Sequence, residues 1–227
     1  MGLHHSHSHG PAPADTPGGD KRLVFAIAVN VLLTVAQIIG GVLSGSLALV
    51  ADAIHNLSDA AALAIALIAR RIARHPADAK HTYGHGRAEM IAAVFNLAWL
   101  IFIGIFLVVE AVERFFNPQP IAGWTVVIIA AIALAVDIAT VMLTYRMSKT
   151  SMNIRAAFIH NLSDAMASVG VIVAGTLIIL YDWLFVDALV TIVIAAYILG
   201  HAAIEIPKAI HILMQGVPAG LDIADVT

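Results

Sequence analysis

Two copies of one hexapeptide carry the chemistry of this chain: His55-Asn56-Leu57-Ser58-Asp59-Ala60 and His160-Asn161-Leu162-Ser163-Asp164-Ala165, 105 residues apart. Each copy lies inside a long apolar run. On a helix, residues four apart project from the same face, so each copy offers one imidazole and one carboxylate together. Two such helices facing one another supply two nitrogens and two oxygens. That is a complete tetrahedral set for a divalent transition metal such as zinc.

The surroundings of these residues are those of a membrane protein. Of 227 residues, 60% are hydrophobic and 12% charged, with a mean hydropathy of +0.91. Soluble domains are about 45–50% apolar and about 25% charged. The formal charge of −3 is uninformative, because in a membrane the placement of charge matters more than its sum. With no cysteine, thiolate metal chemistry and disulfides are excluded. Eleven histidines are many for the length and suggest metal handling.

Six apolar stretches, at roughly 23–43, 47–69, 90–112, 124–145, 154–180 and 185–206, each reach the length needed to cross a bilayer as a helix. The expected fold is an all-α membrane protein of six transmembrane helices. Residues 21–207 form that domain, between a disordered tail at 1–20 and a short tail at 208–227. Asn117-Pro118-Gln119-Pro120 and Tyr181-Asp182-Trp183 read as turns, and Gly40, Gly41 and Gly45 mark a tight first connection. Eleven of the 12 basic residues fall on the side shared by both termini, and Arg114 falls on the other. The positive-inside rule then places both termini in the cytosol. Counted at about 1.5 Å per residue from the basic ends, Asp59 and Asp164 come to a similar depth, about 13–17 Å in.

A carboxylate or charged imidazole at mid-bilayer costs about 2.5–3.5 kcal/mol. Asn30, Gln37, Ser58 and Ser163 are read as interhelical hydrogen-bond glue. Duplicated His-Asp pairs are more than glue requires. Asp52, one turn before His55, and Asp137 are candidates to support the ligands from behind, and Asp52 is equally a candidate proton acceptor. Asp187 has no assignment. Imidazole ligates only when its nitrogen is unprotonated, so metal and protons compete, and metal–proton exchange is the expected chemistry. The set lacks soft ligands, which disfavours copper(I).

In these residues the chain resembles the cation diffusion facilitator family of zinc and cadmium/cobalt/iron exporters. The likeness spans all six stretches and is strongest in the two hexapeptides and in the loop from Pro76 to Glu89. The resemblance implies a homodimer in the cytoplasmic membrane of a bacterium, exporting a divalent metal by proton antiport. His55, Asp59, His160 and Asp164 are then the transport site, and Zn2+ is the expected cargo rather than a cofactor. Asp78, His81 and His85 match an accessory cytosolic metal site of some relatives, and their spacing also fits a metal; the alternative is a solvated loop. His4, His5, His7 and His9 are either a metal-collecting tail or without function. Family members usually continue into a cytosolic domain after a segment like Gly216-Val217-Pro218-Ala219-Gly220. The chain is expected to be a naturally short member or one cut there, which bears on the dimer. The competing readings are a metal channel or sensor and, more remotely, a His-dependent membrane metalloenzyme, whose His-Glu-x-x-His pattern does not occur. Nothing in the composition suggests nucleic acid as a partner.

Overall fold

A computed structural model describes residues 17–78, 80–82, 84–145 and 152–217. Within them lie six helices: α1 (Pro17–Ser44), α2 (Leu47–Ala73), α3 (Ala88–Phe116), α4 (Gly123–Tyr145), α5 (Met152–Tyr181) and α6 (Phe185–Leu213). No strand occurs among the described residues. The four histidines at positions 4, 5, 7 and 9 lie outside them. The chain is an integral membrane protein: α3, α4, α6 and the 158–181 stretch of α5 are each long and apolar enough to cross a bilayer. In α1 the described apolar segment is the shorter Val31–Ser44. α2 interrupts its apolar face with Asp52, His55 and Asp59.

Most helices outrun the apolar stretches that foretell them. α6 continues from the expected end at 206 to Leu213, straight through Pro207. Proline removes one N–H from the ladder, and the last two turns of α6 tolerate that loss. At the other end of the bundle the turns are tight. Gly45 has φ +75°, and a Cβ there would stand 2.6 Å from the Pro120 carbonyl oxygen. Only glycine combines that backbone with that approach. Asp182 closes α5 with φ 56° while its N–H donates to the Ile178 carbonyl at 3.0 Å.

α2 lies among α1, α3, α5 and α6, whereas α3 pairs mainly with α6 and α4 with α5. The buried core gathers around the first half of α2, where Leu49 and Ala51 meet Leu107 of α3 and Ile198 of α6. Outward faces carry large apolar side chains. Phe95, Trp99, Phe102 and Phe106, at helical spacing on α3, are all half exposed or more, as a lipid-facing stripe is. Tyr181, Trp183 and Trp124 stand exposed at helix ends, in the manner of interfacial aromatics.

Asp187, which the sequence left unassigned, fastens α6 to α2. It is 1% exposed. It accepts from Ser46 Oγ at 2.5 Å, from the Leu47 N–H at 2.7 Å and from the Ala48 N–H at 3.3 Å. Ser46 Oγ in turn accepts from the Leu49 N–H at 3.1 Å. The free N–H groups at the start of α2 are thus capped by a carboxylate from another helix, which also suits the helix dipole. Beside them Arg114 of α3 donates to the Gly45 carbonyl at 2.7 Å and to Glu110 at 2.9 Å. Asp187→Ala should lower the unfolding free energy by about 1–3 kcal/mol, the loss of a cap and of satisfied buried donors. Thermal denaturation of the detergent-purified protein would show it as a clear fall in midpoint.

Candidate metal site

The two hexapeptides meet. α2 presents Asp52, His55, Asn56 and Asp59 along one stripe, and α5 presents His160, Asp164 and Ser168 along another. Where the helices cross, each histidine reaches both carboxylates. His55 Nε2 lies 3.7 Å from Asp59 Oδ2 and 3.6 Å from Asp164 Oδ1. His160 Nε2 lies 3.3 Å from Asp59 Oδ2 and 3.6 Å from Asp164 Oδ2. Ligands about 2.0–2.1 Å from a tetrahedral ion stand about 3.3–3.4 Å from one another. The four His–Asp separations are near that spacing, with Asp164 meeting the two histidines through different oxygens.

The arrangement does not satisfy itself. His55 Nδ1 and Nε2, Asp59 Oδ2 and Asp164 Oδ1 are buried without a hydrogen-bond partner in the protein. His55 and Asp164 are 9% and 7% exposed. Unpaired polar atoms at this depth are costly, and a bound cation or proton relieves them. His55, Asp59 and Asp164 each place a ligand atom within 4.8 Å of the others. His160 stands on the more open side of this group, its Nε2 3.3 Å from Asp59 Oδ2 and its ring 6.1 Å from that of His55.

Two cavities reach the quartet from different sides. Asp59 and His160 line one of about 690 Å³ with Glu89, Asn96 and Glu205, toward the ends of α2 and α6 and the start of α3. His55 and Asp164 line another of about 500 Å³ with Met166, Val193 and Tyr197. Tyr197, which sequence reasoning did not single out, sets its ring edge-on to His55 at 5.8 Å.

The two carboxylates proposed as supports are placed differently. Asp52 is 1% exposed and accepts from Gln37 Nε2 of α1 at 2.7 Å. Asp137 of α4 accepts from Ser168 Oγ at 3.1 Å, one turn beyond Asp164. Glu205, near the end of α6, pairs with Lys208 at 2.7 Å.

The loop between α2 and α3 brings Asp78, His81 and His85 together, each with a ligand atom within 4.8 Å of the others. The His81 and His85 rings are 4.3 Å apart. The ring of His75 stands beside that of His85, 5.8 Å away, although its spacing gave no sign of this. Asp78 Oδ1 also shapes the loop, accepting from the N–H groups of His81 at 2.6 Å and Lys80 at 2.7 Å. These bonds, with the His81 ring, hold its carboxyl below the usual carboxylate range.

A bundle of apolar helices around two crossed His-Asp pairs defines a membrane protein that handles cations. The chain belongs to the cation efflux family: the cation efflux transmembrane domain matches residues 23–214. Members of this family are transporters, not enzymes. The zinc transporter ZitB of Pectobacterium atrosepticum is 39% identical over 220 residues, covering 96% of this chain and 67% of that protein. The metal cation efflux system protein CzcD of Cupriavidus metallidurans is 35% identical over 227 residues, 100% of this chain and 70% of that protein. The cadmium, cobalt and zinc/H(+)-K(+) antiporter of Bacillus subtilis is 37% identical, over 98% of this chain and 70% of that protein.

The Asp78 turn makes a prediction of its own. Its carboxyl has a lower pKa in the folded loop than in an open chain, so the turn is fully stabilised above the ordinary carboxylate range of about 4. That stabilisation is lost as pH falls through the lower, folded value. Amide NMR signals of Lys80 and His81 should keep their bonded shifts until that point. Asp78→Ala should abolish them at every pH.

Proposed function

We propose that this protein exports a divalent transition-metal cation, zinc foremost, with cadmium, cobalt and iron also accepted, in exchange for protons. The observation that carries the reading is the crossing of α2 and α5. It sets each of two imidazoles 3.3–3.7 Å from both carboxylates and leaves His55, Asp59 Oδ2 and Asp164 Oδ1 without a hydrogen-bond partner. His55, Asp59, His160 and Asp164 are the transport site. Two carboxylates neutralise a doubly charged ion in the low-dielectric bundle, and the absence of thiolate or thioether ligands favours zinc-like ions. A protonated imidazole cannot ligate, so protons arriving at His55 and His160 discharge the metal. Relatives whose names carry zinc transport and cation–proton exchange are in keeping with both halves of this cycle.

In this reading residues 21–207 form one domain, all six helices cross the cytoplasmic membrane of a bacterium, and both termini face the cytosol. The basic side chains distributed toward that side support the orientation. Metal enters through the cavity lined by Glu89, Asn96 and Glu205, which opens toward the end of the bundle that carries the 74–87 loop. Asp78, His81 and His85 form an accessory metal site beside it. Asp52, held by Gln37 of α1, and Asp137 of α4 support the ligand helices. The working unit is a homodimer, as the family resemblance implies.

Zinc uptake by proteoliposomes tests the cycle directly. Uptake should saturate and should accelerate when the compartment receiving the metal is made acidic. Asp59→Ala and Asp164→Ala should each cut the rate by about 100-fold or more, since each removes one of four ligands and one of two neutralising charges. Unchanged transport in both variants would sink the assigned site. A flux indifferent to the pH gradient that does not saturate would mean a channel instead.

A further inference from the structure

The interface of α1 with α2 holds a second polar cluster that the four ligands do not use. Gln37 has no exposed surface. Its Nε2 donates to Asp52 Oδ2 at 2.7 Å, and its Oε1 accepts from Asn56 Nδ2 at 3.4 Å. The two partners dictate which way the amide points: its oxygen faces the only donor of the pair, and its nitrogen faces the carboxylate. Asp52 and Asn56 sit one turn apart on α2. His55 and Asp59 follow each of them by three residues, on the same stripe. One amide from α1 therefore grips two successive turns of α2 along the flank of the ligand pair.

The spacing matters because a metal site is intolerant of rotation. A ligand atom stands about 6 Å from its helix axis. A roll of about 5° moves such an atom by about 0.5 Å, the tolerance within which a metal site must be held. Aliphatic packing resists such a roll weakly, since side chains slide over one another at little cost. A bridge to two turns resists it directly. Glue between α1 and α2 would need one bond to α2 and no register with the ligands.

We propose that Gln37 is a positioning residue. It sets the rotation of α2, so that His55 and Asp59 meet His160 and Asp164, and thereby sets the affinity of the shared site. The proposal rests on the reading of those four residues as a metal site.

Zinc affinity of the full chain, purified in detergent, tests it by competition with a fluorescent chelator. Asp164→Ala defines the zinc held by the quartet as distinct from zinc on the 74–87 loop. Gln37→Met keeps the volume and loses both bonds; it should weaken quartet binding by about 10–100-fold, as loss of a ligand-orienting partner does. Gln37→Glu keeps an acceptor for Asn56 and, with one proton shared with Asp52, a donor for the carboxylate. It should bind within about 3-fold of wild type, a difference of no more than one weakened hydrogen bond. A purely structural role would instead change the yield of folded protein and leave the affinity of the folded fraction alone. Equal affinity for Gln37→Met and wild type overturns the proposal, and so does equal weakening by Met and Glu. Should Gln37→Met fail to fold, Asn56→Ala, which breaks only the 3.4 Å bond, should still weaken binding by about 3-fold; no change there overturns the proposal. If Asp164→Ala binds zinc as wild type does, the quartet itself is not the site and both readings fall. If it loses zinc while Gln37→Met does not, only the positioning role falls.

Discussion

The structure depends on the crossing of α2 and α5, where four ionisable side chains approach to 3.3–3.7 Å, His55 and Asp164 buried and Asp59 and His160 more open. Apolar helices in a bilayer have little preference for one rotation over another, because lipid tails and leucine side chains are equivalent neighbours. Burying two imidazoles and two carboxylates removes that freedom. Each must face the others or stand alone in hydrocarbon, at a cost of about 2.5–3.5 kcal/mol per group. Mutual approach lowers the cost without cancelling it, since several ligand atoms remain unpaired. A site left in that condition has affinity for whatever completes it, and cations and protons are what can.

Each ligand helix is buttressed by its neighbour in the chain. α1 holds α2 through Gln37 and Asp52, and α4 holds α5 through Asp137 and Ser168. The two halves use different residues for the same purpose, a polar bond one turn from the ligands. At the opposite end of α2 the Asp187 cap and the Arg114 bond to Gly45 fasten α6 and α3 to its first residues. Leu49, Leu107 and Ile198 of the core are almost fully buried. Toward the other end the same helices part around the cavity of about 690 Å³.

Much of the fold was legible because membrane helices are written in long apolar runs with few competing signals. Six helices cover the six expected stretches, four of them long and apolar enough to cross a bilayer, and the turns at Gly45 and Asp182 fall where glycine and polar residues announced them. α6 ran past its apolar stretch because a helix need not stop at proline or at the edge of the hydrocarbon. The 74–87 loop was half legible: Asp78, His81 and His85 come together at their spacing of three and four, whereas the ring of His75 is set beside His85 by the path of the backbone. Asp187 carried no local signal, since its partners lie 139–141 residues away.

By itself the sequence determined the class of protein, the four candidate ligands and the pairing of each His with an Asp on one helix face. These follow from composition and from the 3.6-residue repeat, which are properties of single segments. Only the tertiary structure decided that each histidine shares both aspartates, that Gln37 bridges the turns beside them and that a carboxylate from α6 caps α2. Those are contacts between helices, set by how far each is rotated and tilted against the next. A repeated hexapeptide declares which atoms are available to a metal, and the packing of α2 on α5 brings them within reach of one another.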